Sequence, residues 1–119
     1  MLARANAVSA LPDEMAISAI TAAELAAGPH LATTSDEAAR RQSRVQEVEA
    51  SLEPIPFDGA DARSYGLVVV AVVGQRRRPR SRFIDLLIAA TAHAHGLDLY
   101  TRNGHDFVGL EDLVKVIEI

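Results

Sequence analysis

The sequence predicts an α/β layer fold with a mostly parallel central sheet flanked by helices. MAISAIT, residues 15 to 21, combines β-branched and small apolar residues without polar alternation, the composition of a strand covered on both faces. FIDLLIAATAHAHG, residues 83 to 96, is a helix-length apolar run closed by a glycine. The order strand, helices, strand, helix, strand then favours parallel pairing through crossovers.

Taken in order, the strand at 15–21 feeds Thr21-Ala22-Ala23-Glu24, which has capping-box spacing and starts a helix that Gly28-Pro29 should end. A second helix starts near Ser35, with Asp36 and Glu37 in its first turn. It repeats Ala38, Val45, Val48 and Leu52 on one face up to Glu53-Pro54. IPF (55–57) reads as a short strand, and Asp58 caps the segment after it. LVVVAVV has strand composition, but Tyr65, Val68, Val69, Val72 and Val73 form an i, i+3, i+4, i+7, i+8 stripe, so residues 59–75 are expected to be helical. The helix at 83–96 follows, with Gly96 as its stop. LDLYT (97–101) is a strand, RNGHDF a turn, and LVKVIEI (113–119) a last strand.

At 119 residues the chain is expected to form a single domain, 1–119, large enough to bury its own core. Apolar residues make up 49% of the chain and aromatic residues 4%, so the core must be built from Ala, Val, Leu and Ile. Stacking platforms for bases are scarce. Net charge is -4, yet Arg76, Arg77, Arg78, Arg80 and Arg82 crowd into RRRPRSR, a local patch suited either to phosphates or to solvent. The absence of cysteine suits a reducing, cytoplasmic setting and excludes thiolate metal sites. The longest apolar stretch is too short for a membrane span, so no membrane association is expected.

In open α/β sheets ligands bind beyond the carboxyl ends of the strands. Glu24 and Asp106 both follow strands, with Asn103 ahead of Asp106, and Asp85 sits in the first turn of its helix. Glu24 also suits a capping role and Asp106 a turn role. Asp85 is harder to explain structurally. An N-terminal dipole position is worth only about 0.3–1 kcal/mol, and Ala89 and Ala92 leave its helix face open to close approach. Three converging carboxylates without cysteine would suit a hard cation, Mg²⁺ or Mn²⁺, and phosphate chemistry. His93 and His95 are i, i+2 on a helix, cannot chelate together, and read as surface or helix-end residues. His105 reads as a solvated loop residue.

TAAELAAG (21–28), Pro-Phe-Asp with Ala-Arg-Ser-Tyr-Gly (56–66), DLLIAATAHAHG (85–96) and LYTRNGHDF (99–107) together resemble the PIN domain family, most of all the VapC-type toxins of bacterial toxin–antitoxin pairs. The resemblance implies a three-layer PIN-like fold and a Mg²⁺- or Mn²⁺-dependent endoribonuclease. It makes Glu24, Asp85 and Asp106 the catalytic and metal-site acids, with Asn103 alongside as a further metal ligand. RNA, a small cognate antitoxin protein and a second copy of the chain in a homodimer are the implied partners; for such a nuclease RRRPRSR is either an RNA-contacting loop or a solvated connector. Family members also begin with a strand bearing an Asp. Nothing ahead of MAISAIT matches it, and MLARANAVSALP resembles the tail of the helix that follows such a strand, so the fold is expected to lack the first strand. A catalytically inactive PIN-like remnant that retains antitoxin binding or self-association is the competing function. A flavodoxin-like nucleotide module would need a glycine-rich phosphate loop that the chain lacks.

Overall fold

A computed structural model describes residues 2–3, 15–75 and 82–119. Its elements are β1 (Leu2–Ala3), β2 (Ile17–Ser18), α1 (Ala19–Leu31), α2 (Ser35–Ser51), β3 (Pro54–Ile55), α3 (Gly59–Gly74), α4 (Phe83–His95), β4 (Asp98–Thr101), a 3₁₀ turn (Gly104–Phe107) and β5 (Val116–Glu118). The architecture is the expected α/β layering. β2 pairs with β3 and β4 with β5, both in parallel. Among the described residues no helix is long and apolar enough to cross a membrane.

The N-terminal strand departs from expectation. Leu2 and Ala3 are strand, paired antiparallel to Leu99 and Asp98 of β4, and Leu2 also bridges Ala16 with two 2.8 Å backbone bonds. Leu2 is 1% exposed. The place where a first parallel strand was expected to be missing is thus taken by two residues running the other way, because buried backbone donors and acceptors on β4 and at Ala16 need partners. Residues 4–14 lie outside the described residues.

Helix starts follow the local capping chemistry, with two shifts from the sequence reading. α1 begins earlier than expected: Ser18, not Thr21, is its N-cap, accepting the Thr21 N–H at 3.0 Å and donating to the Thr21 hydroxyl at 3.0 Å. Strand β2 is shortened to match. Pro29 does not end α1, which runs on to Leu31; Arg41 of α2 donates to the Gly28 carbonyl at 2.8 Å and so satisfies one acceptor of the last turn. α2 is capped by Thr34, whose hydroxyl accepts the Glu37 N–H at 3.1 Å. Asp58 caps α3 as expected, accepting from Ala60 and Asp61. Gly96 closes α4 in the left-handed conformation, φ 63°, which a side chain would disfavour.

α4 is the centre of the molecule. Leu86, Ile88, Ala89, Ala90, Thr91 and Ala92 are all buried, and the core continues through Val68 and Val72 of α3, Leu99 of β4, and Phe107, Leu110 and Val114 beyond it. Residues 59–74 are helical, as the periodicity indicated. Their buried positions are Asp61, Ser64, Val68 and Val72, while Val73, expected on the core stripe, is 55% exposed.

Asp61 is fully buried between α3 and α4. Thr91 donates its hydroxyl to Asp61 Oδ2 at 2.5 Å, and His95 Nε2 lies 3.3 Å from Oδ1. One turn along, Ser64 Oγ and His93 Nδ1 are 2.9 Å apart. His93 and His95 lie in the last turn of α4, as read from the sequence, and in addition join α4 to α3. Because a buried acceptor stripped of its donor bears a desolvation cost, Thr91→Val, which keeps the shape, should destabilise the chain by about 1–3 kcal/mol in urea unfolding. A change within error would mean that Asp61 does not depend on that hydroxyl.

Candidate functional site

The carboxyl ends of β2 and β4 point to one edge of the molecule, and each is followed by an acid. Ser18 caps α1 directly off β2, which puts Glu24 in the second turn of α1, with its side chain exposed. Asp85 is in the first turn of α4 and half-buried. β4 ends at Thr101, whose hydroxyl accepts the Asn103 N–H at 3.1 Å; the Asn103 carbonyl accepts the Asp106 N–H at 3.0 Å. Asn103 is itself exposed and sets the turn that carries Asp106. From the neighbouring strand Glu118 pins the same turn by accepting the Gly104 N–H at 3.1 Å.

Electrostatics join the three acids into one neighbourhood. Desolvation first, and then the charge of Asp85, push the Glu24 carboxyl above its ordinary range. Desolvation first, and then the charge of Asp106, push Asp85 up, while Arg82 pulls the other way. Asp85 is thus the middle member, repelled from both sides. Among the described residues no three acidic or histidine side chains are drawn together tightly enough to grip an ion. The donor chemistry fits a hard cation: all three groups are carboxylates, flanked by an amide, without thiolate or a histidine pair.

Arg82, expected in the RNA-contacting loop, is half-buried at the N-cap position of α4 and donates to the Val108 carbonyl at 3.3 Å. Arg76, Arg77, Arg78 and Arg80 lie outside the described residues. Sequence reading missed the neighbouring Arg41 and Arg44. A cleft of about 290 Å³ beside Glu24 is lined by Thr21, Leu25, Gly28, Arg41 and Arg44. The signal was present, since Arg41 and Arg44 are i, i+3 on α2 and share a face.

Helices on an α/β sheet, an acid after each of two strands and a third at the start of α4 together describe a PIN domain. The PIN domain family model matches residues 2–111, and the chain belongs to that family. It is 33% identical over 106 residues to "Ribonuclease VapC5" of Mycobacterium tuberculosis, across 89% of this chain and 76% of that protein. It is 34% identical over 106 residues to "Ribonuclease VapC4" of the same organism, across 89% of this chain and 78% of that protein. Among solved structures, the VapBC-5 toxin–antitoxin structure from Mycobacterium tuberculosis superposes with a TM-score of 0.83 at 32% identity, covering 92% of this chain and 85% of that one. VapBC2 from Rickettsia felis, solved bound to a promoter DNA fragment, gives a TM-score of 0.70 at 25% identity, covering 87% and 74%.

Raised carboxyl pKa values carry a stability consequence. A group that holds its proton more tightly when folded contributes stability below its unfolded pKa, and that contribution is lost as pH rises through the folded value. At neutral pH the charged Asp85 therefore weakens the metal-free fold. Asp85→Asn should raise the melting temperature at pH 7 in EDTA, and the gain should vanish below the ordinary aspartate value of about 3.9. A variant less stable than the parent at pH 7 would contradict the repulsion described above.

Proposed function

We propose that the chain is a Mg²⁺- or Mn²⁺-dependent endoribonuclease acting as the toxin of a toxin–antitoxin pair. The observation that supports this best is the electrostatic linkage of Glu24, Asp85 and Asp106, three acids from separate parts of the chain at one sheet edge. Relatives named ribonucleases, and structural neighbours solved as VapBC toxin–antitoxin systems, favour the same reading.

In this reading Glu24, Asp85 and Asp106 hold the cation and Asn103 lies alongside. A divalent ion there supplies Lewis acidity toward a phosphoryl oxygen and lowers the pKa of bound water. The chain's own part is to present three ionised carboxylates. Because Glu24 and Asp85 are harder to ionise than usual, cation affinity should fall as pH drops through their raised values.

The partners follow from two apolar surfaces. Ile17, Leu25, Val45, Val48 and Leu52 line a cleft between α1 and α2 that suits apolar side chains of a small antitoxin. Leu67, Val70 and Val73 of α3, 52%, 69% and 55% exposed, form an apolar face that suits a second copy of the chain in a homodimer.

Single-stranded RNA should be cut in Mn²⁺ or Mg²⁺ and spared in EDTA. Asp85→Asn should abolish cutting while leaving the circular dichroism spectrum intact, and Mn²⁺ should raise the melting temperature of the parent more than that of the variant. A folded parent that binds an antitoxin but never cuts RNA would favour the non-catalytic reading. Val70→Glu, at the centre of the α3 face, should convert a dimer to a monomer in light scattering; a dimer that survives it uses another surface.

A further inference from the structure

Acids that hold a cation also repel the rest of a polyanionic strand, so a nuclease of this kind needs cations beside its acids. Arg76, Arg77, Arg78 and Arg80 lie outside the described residues, and Arg82 donates to the Val108 carbonyl. The described residues offer another source. The cleft against Glu24 has Thr21, Glu24, Leu25 and Gly28 of α1 on one side and Arg41 and Arg44 of α2 on the other.

The two arginines differ in how they are held. Arg41 is fixed: it donates to the Gly28 carbonyl at 2.8 Å and pairs with Glu37 one turn earlier on α2. Its stem passes Gly28 at van der Waals distance, 3.6 Å from where a Cβ would stand. Arg44 makes no hydrogen bond or ion pair with a described residue, and its side chain is exposed. A guanidinium free to pair, next to one already anchored, at the lip of a cleft that ends in a proposed metal-site carboxylate, suits a phosphodiester oxygen.

Stacking platforms are few: Tyr100 and Phe107 are buried, Phe57 packs against the core, and only Phe83, 49% exposed and edge to face with Tyr65, stands open to solvent. Backbone contacts must then supply most of the affinity.

We propose that this cleft is a subsite for a phosphate of the RNA strand next to the one being cut, with Arg44 as the contact and Arg41 as a fixed wall. The proposal rests on the nuclease reading above and adds to it the place where the strand leaves the acids. An acidic peptide segment is the competing occupant, but the cleft's continuity with Glu24 favours the nucleic acid.

Arg44→Ala and Arg44→Lys should be compared with the parent on a fluorescent single-stranded RNA, with Lys115→Ala as a control. Lys115 is exposed and precedes β5, at the opposite edge of the sheet. Loss of one phosphate contact should raise KM roughly fivefold near 0.1 M salt and lower the salt slope of binding by about 0.7, with kcat nearly unchanged. Arg44→Lys should recover most of the loss, and Lys115→Ala should show none.

If the parent cuts RNA and Arg44→Ala keeps its KM and salt slope, the subsite is overturned while the nuclease stands. An Arg44→Lys variant whose salt slope falls as far as that of Arg44→Ala would overturn it too, since a charge at this position would then contribute nothing. An unchanged KM for RNA together with weakened binding of an acidic peptide would assign the cleft to a protein partner instead. A folded parent that neither binds nor cuts RNA would overturn the nuclease reading and the subsite with it.

Discussion

The close packing of α4 is the constraint on which the rest depends. Ala89, Ala90 and Ala92 are fully buried, and side chains this small let α3 and the sheet approach the helix together. Larger residues would push the layers apart and carry Asp85, at the start of the same helix, away from Glu24 and Asp106. The helix thus has two ends with different tasks. Its first turn presents a carboxylate to the sheet edge, and its last turn binds α3 through Thr91, His93 and His95.

Features written in local chemistry were legible in the sequence. Asp58 as a cap, Gly96 as a stop and the helical period of residues 59–74 need only neighbours within a turn or two. Competition between nearby signals caused the shifts. Ser18 and Thr21 are both good caps, and pairing of Ile17 and Ser18 with Pro54 and Ile55 placed the boundary at the first. Long-range pairing was invisible. Nothing local marks Asp61, in the first turn of α3, and only the approach of Thr91, 30 residues away, reveals a buried carboxylate. The acids of the candidate site were legible because two follow strands and one interrupts an apolar helix. The cleft arginines were not, because i, i+3 spacing on a charged helix looks like ordinary solvent-facing surface.

The acid neighbourhood costs stability at neutral pH, because desolvation and neighbouring carboxylates push Glu24 and Asp85 above their ordinary range. The buried Asp61 is held by the Thr91 hydroxyl on Oδ2, with the His95 imidazole 3.3 Å from Oδ1.

β1 has a further meaning for mechanics. Leu2 bridges Ala16 on one side and pairs with Leu99 on the other, so two residues stitch the β2–β3 half of the sheet to the β4–β5 half. Glu24 rides on the first half, while Asp85 and Asp106 ride on the second. The seam is therefore one of two ties, with the packing of α1 against α4, that set the span from Glu24 to Asp85.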